Sequence, residues 1–168
     1  MTHTTANIES ERFRSGADKY AAYLGTPEGR LRRDLAFANL QDFLPQNPGT
    51  LRALDIGCGT GVFAIRLARL GLHVTLLDSS LPMLDFASRA ASEAGVTEKI
   101  ALKHGDASQV SDLFPAKSFD VIVCHNVLEY IDDPGSVSSS VARALRGPSA
   151  ILSALVRNQA GEVLRAAI

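Results

Sequence analysis

Leu54-Asp55-Ile56-Gly57-Cys58-Gly59-Thr60-Gly61 decides how this chain is read. An apolar run enters it and three glycines leave it, so a buried strand breaks abruptly into a turn. Before it, Arg52-Ala53-Leu54 follows the breaker pair Pro48-Gly49. After it, residues 62–70 repeat apolar side chains at helical intervals and stop at Gly71, which suits a helix C-terminus. Strand, glycine turn and helix together open a pocket where bare backbone can approach a ligand.

Spacing narrows the ligand. Glycines at 57, 59 and 61 give Asp-x-Gly-x-Gly-x-Gly, whereas a diphosphate-binding turn needs its third glycine at 62, which is Val62. Asp55 at the strand end repels a diphosphate and attracts a cationic amino group. Both features count against a nicotinamide-dependent oxidoreductase.

The rest of the chain alternates strand and helix. His73-Val74-Thr75-Leu76-Leu77 reads as a second strand ending at Asp78, with Ser79 or Ser80 able to cap a helix over 81–94 that Gly95 closes. Pro82 falls in its first turn, where the missing donor is not needed. Residues 99–103 make a third strand, 119–124 an almost entirely apolar and hence central fourth, and 150–156 a fifth, with a helix over 137–145 between the last two. This order predicts an α/β fold with a doubly wound, mostly parallel sheet. In such sheets ligands bind beyond the carboxyl ends of the strands.

Three acids stand at successive strand ends. Asp78 lies 21 residues beyond Gly57, where a carboxylate accepts both hydroxyls of a ribose; capping the next helix is the rival reading. Asp106, in Gly105-Asp106-Ala107, either faces a ligand or orders a turn. His125 follows the fourth strand and is either a packing residue or a base near neutral pH.

Composition sets bounds. A chain of 168 residues, 46% hydrophobic and 21% charged, suits one domain with its own core. Its net charge of −1 provides no global attraction for nucleic acid or membrane. Arg30, Arg32 and Arg33 cluster locally, which fits a solvated helix face better than a polyanion site. Cys58 and Cys124 are too few for a disulfide framework, no metal-ligand spacing occurs, and a cytoplasmic location is the default expectation. The serine runs at 79–80 and 138–140 lack the spacing of a hydrolase nucleophile.

The glycine loop resembles the first motif of class I S-adenosylmethionine-dependent methyltransferases. The resemblance implies S-adenosyl-L-methionine as cofactor and S-adenosyl-L-homocysteine as product. It places Asp55, Gly57, Cys58, Gly59 and Gly61 under the methionine part, Asp78 on the ribose, Asp106 and Ala107 on the adenine, Ser79 among the cofactor-binding residues, and His125 near the sulfonium as the one catalytic candidate. His125-Asn126-Val127-Leu128-Glu129-Tyr130 resembles the segment after the fourth strand in small-molecule and RNA methyltransferases, with Glu129 and Tyr130 on a short helix lining the site. Thr26, Gly29, Leu31 and Arg32, the glycine loop, Asp133-Pro134 and Ser136-Val137 together resemble the methyltransferases that esterify a carboxymethoxyuridine of bacterial tRNA. In that subfamily the arginine matching Arg32 reaches the cofactor carboxylate; a surface cation is the other reading. Cys58 and Thr60 depart from the subfamily's loops, which are richer in glycine and acid.

Expected partners are a methyl acceptor, either tRNA or a small carboxylate-bearing molecule, with no membrane. A cofactor-binding domain without catalysis is the alternative from another class. The expected organisation is one domain, with residues 1–46 a helical cap or lid and 50–168 the α/β core. Residues 20–27 read as helix and turn. Leu31, Leu35, Ala38 and Asp42 mark the face of the next helix that packs on the sheet. Residues 157–168 read as the opening of one helix. The fold is thus expected to be truncated after the fifth strand, with a bare sheet edge that a homo-oligomer would cover.

Overall fold

The computed structural model describes Ala22 and residues 25–156. Five strands form one parallel sheet: β1 (Arg52–Ile56), β2 (His73–Asp78), β3 (Ile100–His104), β4 (Val121–His125) and β5 (Ile151–Leu155). Their order, β3-β2-β1-β4-β5, makes the fold a Rossmann-like, doubly wound α/β domain. The chain steps outward from β1 to β3, then returns to place β4 on the other side of β1. The switch point therefore lies between the carboxyl ends of β1 and β4. β1 is central, and β4, apolar as far as Cys124, lies one strand in from the β5 edge. Leu152 and Val156 are exposed along that edge, at 46% and 57%.

Helices cover both faces: α1 (Pro27–Gln41), α2 (Val62–Arg69) and α3 (Leu81–Glu93) on one, the short α4 (Val110–Leu113) and α5 (Pro134–Ala144) on the other. Alternation along each strand divides the core accordingly. Ala53, Val74, Leu76, Val121 and Val123 pack with Phe37, Leu40, Leu67 and Leu84. Leu54, Ile56, Leu77 and Ile122 pack with Val110, Phe119, Val137 and Val141. By the same alternation Asp55, Asp78 and His125 all project to the α1–α3 face, toward the helices that follow the glycine turn.

Two local expectations are corrected. In α1 the buried residues are Gly29, Ala36, Phe37 and Leu40, whereas Leu31 and Leu35 are 60% and 57% exposed and Ala38 is also exposed. Phe37 is the anchor that turns the helix: its ring meets Phe63 edge-on at 5.3 Å, and the Arg66 guanidinium lies 4.4 Å above it. α5 begins three residues before the expected Val137, because Asp133 accepts from the Ser136 amide and Pro134 fits the first turn. At the start of α1, Thr26 Oγ1 accepts from the Gly29 amide. The readings of residues 20–21, 23–24 and 157–168 lie outside the described residues.

The glycines earn their positions sterically. Gly57, Gly59 and Gly61 all have positive φ, near 64°, 52° and 73°. A Cβ at Gly61 would sit 2.8 Å from Ala87 Cβ and 3.3 Å from its Cα, so the turn is pressed directly onto α3. At Gly95, also left-handed, nothing lies within 4 Å. Gly61→Ala should therefore cost about 2–4 kcal/mol, strain and overlap together, against about 1 kcal/mol for Gly95→Ala. Urea unfolding midpoints of the two variants check this difference.

Candidate cofactor site

Asp55 occupies the last-but-one position of β1 and is 4% exposed. Its Oδ2 is buried without a hydrogen-bond partner. Burial, reinforced by the nearby Asp78 carboxylate, pushes its pKa up to about 7, and the Ala64 amide in the first turn of α2 opposes this. Gly61, at the N-cap of α2, has no side chain to satisfy that turn, so Asp55 reaches across from the sheet. An unpartnered buried carboxylate oxygen under a glycine turn is a receptor for a positively charged hydrogen-bond donor.

Asp78 closes the other side. Its Oδ2 accepts from the Gly59 amide at 2.8 Å and its Oδ1 from the Ser80 amide at 2.9 Å. The carboxylate thus ties the glycine loop to the start of α3. Each oxygen retains a lone pair for a ligand hydroxyl. Ser80 is the N-cap residue of α3, but its side chain makes no capping bond and its Oγ is buried without a partner; Asp78 holds the Ser80 amide just ahead of the helix. Burial raises the Asp78 pKa, while these amides and the neighbouring His104 hold it down. His104 Nε2 also lies 3.1 Å from the Ser79 carbonyl. The loop backbone is fastened in turn, because the Gly57 and Cys58 amides both donate to the Leu77 carbonyl.

Asp106 stands two residues beyond β3 and is exposed. It caps a short helical turn: its Oδ1 accepts from Ser108 N, and Gln109 Oε1 accepts from its own amide. The Ser108 hydroxyl and amide, with the Ala107 amide, hold its carboxyl below the ordinary range. Ala107 beside it is buried. The structure therefore places Asp55, Asp78 and Asp106 at the carboxyl ends of three adjacent strands, as the sequence predicts.

On the β4 side, His125 meets the Phe63 ring edge-on at 4.7 Å, and its Nε2 lies 2.9 Å from Ser153 Oγ on β5. Burial, with the Arg32 cation, pushes its pKa down to about 4, so the imidazole is neutral at pH 7. Arg32 donates from Nη2 to the side-chain oxygen of Asn126. Asn126 is left-handed, with φ near 56°. Val127 follows, and its methyl fills the space over Gly57 that a side chain would take. Burial and the neighbouring acids push Cys58 upward, and Cys124 up to about 11, so both are protonated thiols at neutral pH. Glu129 and Tyr130 lie on a short helical turn, Leu128–Tyr130.

Reading the residues one at a time missed Ser153, Asn126 and the Phe37–Phe63–Arg66 stack. Ser153 had a signal, as the one polar residue in the strand Ile-Leu-Ser-Ala-Leu. Asn126 had another, since asparagine tolerates the left-handed region just past a strand. Among the described residues there is no group of three or more His, Cys, Asp or Glu that could hold a metal, and no helix long and apolar enough to cross a membrane. A groove lined by Phe43, Leu44, Leu51, Arg146 and Pro148 lies at the opposite strand ends, away from these acids.

Glycines and carboxylates gathered at the switch point of a parallel sheet are the arrangement of an α/β domain that binds a nucleoside cofactor through acids in place of phosphate contacts. The family model for a methyltransferase domain matches residues 54–152, and this chain belongs to that family. It is 34% identical over 156 residues to the tRNA 5-carboxymethoxyuridine methyltransferase of Escherichia coli (strain K12), covering 92% of this chain and 59% of that protein. It is also 33% identical over 120 residues to the ubiquinone biosynthesis O-methyltransferase of Aromatoleum aromaticum, covering 70% of this chain and 50% of that one. The chain thus spans between half and three fifths of the length of these relatives. Among solved structures, a putative S-adenosyl-L-methionine-dependent methyltransferase from Methanococcus maripaludis shares the fold at a TM-score of 0.70 and 20% identity, over 90% of this chain and 71% of that one.

S-adenosylmethionine is the cofactor that this family implies, and the residues present fit it. The orphaned Asp55 oxygen suits its ammonium.

The pKa of Asp55 has a consequence for stability. Folding raises it from 3.8 to about 7, so its contribution is complete below about pH 4 and is lost as pH rises to 7. His125 acts oppositely: folding lowers its pKa from 6.5 to about 4, so its contribution is lost as pH falls through that window. Asp55→Asn should raise ligand-free stability at pH 8 by about 2–4 kcal/mol and leave it little changed at pH 4. Denaturant melts of both proteins at the two pH values measure the effect.

Proposed function

We propose that the chain carries out S-adenosylmethionine-dependent methyl transfer, and that the acceptor is the carboxylate of a modified wobble uridine in tRNA. The observation that carries the first part is the unpartnered Asp55 oxygen beneath the glycine turn, with Asp78 beside it. The second part rests on similarity spanning 92% of the chain to a protein named for that reaction. A tRNA acceptor goes with a cytoplasmic site of action.

When bound, the cofactor supplies an electrophilic methyl group on a sulfonium. Asp55 and the backbone of Gly57, Cys58, Gly59 and Gly61 hold its methionine part, and Arg32 takes the carboxylate. Asp78, with Ser79 beside it, receives the ribose hydroxyls. Asp106 accepts from the adenine amine, and the Ala107 amide faces the ring. A carboxylate acceptor is already nucleophilic, so no base is required of the protein. Holding two reactants in line accounts for about 7–11 kcal/mol of barrier lowering. His125, neutral and paired with Ser153, shapes the site through its ring and does not transfer a proton. Residues 1–46 serve as the cap of the site, with α1 its described portion.

The ubiquinone biosynthesis relatives favour a second reading, a small hydroxylated acceptor at the same cofactor site. A phenolic hydroxyl, unlike a carboxylate, must lose a proton, and the two readings therefore differ in pH dependence.

Calorimetry should show S-adenosylhomocysteine binding and no NADH binding; NADH binding alone contradicts the reading. Radiolabelled methyl transfer to tRNA from a strain lacking the modification tests the acceptor. With a carboxylate acceptor and saturating cofactor, kcat should be flat between about pH 6 and 8, because His125 stays neutral and the bound ammonium keeps Asp55 ionised. A log-linear rise with pH would favour the hydroxyl acceptor.

A further inference from the structure

Arg32 is the half-buried cation at the β4 side of the crevice, close enough to His125 to hold its proton affinity down. Two neighbouring cations, Arg66 and Arg33, are engaged elsewhere. Arg66 pairs with Asp34 at 2.7 Å while lying over Phe37, and Arg33 lies 3.7 Å from the same Asp34. Among the described residues Arg32 has no carboxylate partner; it donates to a neutral amide oxygen, that of Asn126. A guanidinium held by a neutral acceptor keeps its full charge and its remaining donors for an anion.

Asn126 is unusual in its own right. Its left-handed backbone, one residue past β4, aims the side chain back over the strand ends toward α1, 94 residues away in sequence. The turn is pinned on both sides. The Asn126 amide donates to the Leu155 carbonyl at 2.8 Å, and Val127 packs onto Gly57 of the cofactor turn. Arg32 is thereby referenced to the same backbone that forms the floor of the site.

We infer that Asn126 is a positioning residue: its amide oxygen orients the Arg32 guanidinium to receive the cofactor's amino-acid carboxylate. This rests on the cofactor reading above and adds a residue to it. A free arginine side chain samples many rotamers, and fixing it beforehand removes that ordering cost from binding.

The test uses two ligands that differ in this carboxylate. S-adenosylhomocysteine carries the amino-acid part, and 5′-methylthioadenosine lacks it while keeping the nucleoside. Asn126→Gly retains access to the left-handed backbone and removes the amide oxygen. It should bind S-adenosylhomocysteine about tenfold more weakly, the factor expected for losing the orientation of one charged contact, and 5′-methylthioadenosine as the wild type does. Arg32→Ala should show the same split, and the double variant should be no weaker than Arg32→Ala alone. Unchanged S-adenosylhomocysteine binding by Asn126→Gly overturns the inference. Equal weakening of both ligands also overturns it, since that is a purely structural role. A wild-type protein that binds neither ligand overturns the cofactor reading itself, and this inference with it.

Discussion

Two carboxylates compressed under one glycine turn are the constraint on which the rest of this structure depends. Asp55 and Asp78 come from neighbouring parallel strands and project to the same sheet face, so their charges repel in a poorly solvated place. Asp78 tolerates this because the Gly59 and Ser80 amides hold its oxygens. Asp55 has less support, with one oxygen unpartnered and its pKa near neutrality. Such an arrangement costs stability in the free protein and is relieved when a cation enters. The glycines belong to the same constraint, since Ala87 and Val127 close on the turn from two sides and leave no space for side chains.

The opposite rim of the crevice is built from α1 and the end of β4. Phe37 seats the helix against Phe63, Arg66 covers Phe37 and holds Asp34, and Arg32 spans to Asn126. These contacts hold one cation at the β4 end of the switch point, while the two acids stand at the ends of β1 and β2. An amino acid carries an ammonium and a carboxylate on one carbon, and the proposed cofactor reading assigns the first to the acids and the second to Arg32. The same polarity is unsuited to a diphosphate, which would face Asp55 and Asp78 directly.

Much of this was legible in the sequence because it is local. The period of the glycines, the acid at each strand end, Gly71 and Gly95 as helix stops and Pro82 in a first turn are all fixed within a few residues of the element they shape. The face of α1 was not legible. Leu31 and Leu35 fit a helical stripe as well as Ala36, Phe37 and Leu40 do, and only the partner surface on α2 chooses between them. Periodicity reports that a face exists, not what it meets. The start of α5 was misplaced for a simpler reason: Asp133 and Pro134 are a capping pair, and the apolar pattern begins only at Val137. The pairings His125–Ser153 and Arg32–Asn126 span 28 and 94 residues, so no local rule contains them. They became visible only when β5 and α1 were set beside β4.

Proton linkage tests the central claim most directly. Calorimetric titration with S-adenosylhomocysteine at pH 7, repeated in buffers of different ionisation enthalpy, counts the protons exchanged on binding. If a cation settles against Asp55, its carboxyl must ionise, and binding should release a substantial fraction of one proton. Proton uptake, or binding with no exchange that persists unchanged in Asp55→Asn, would show that the ligand is held by something other than this buried acid.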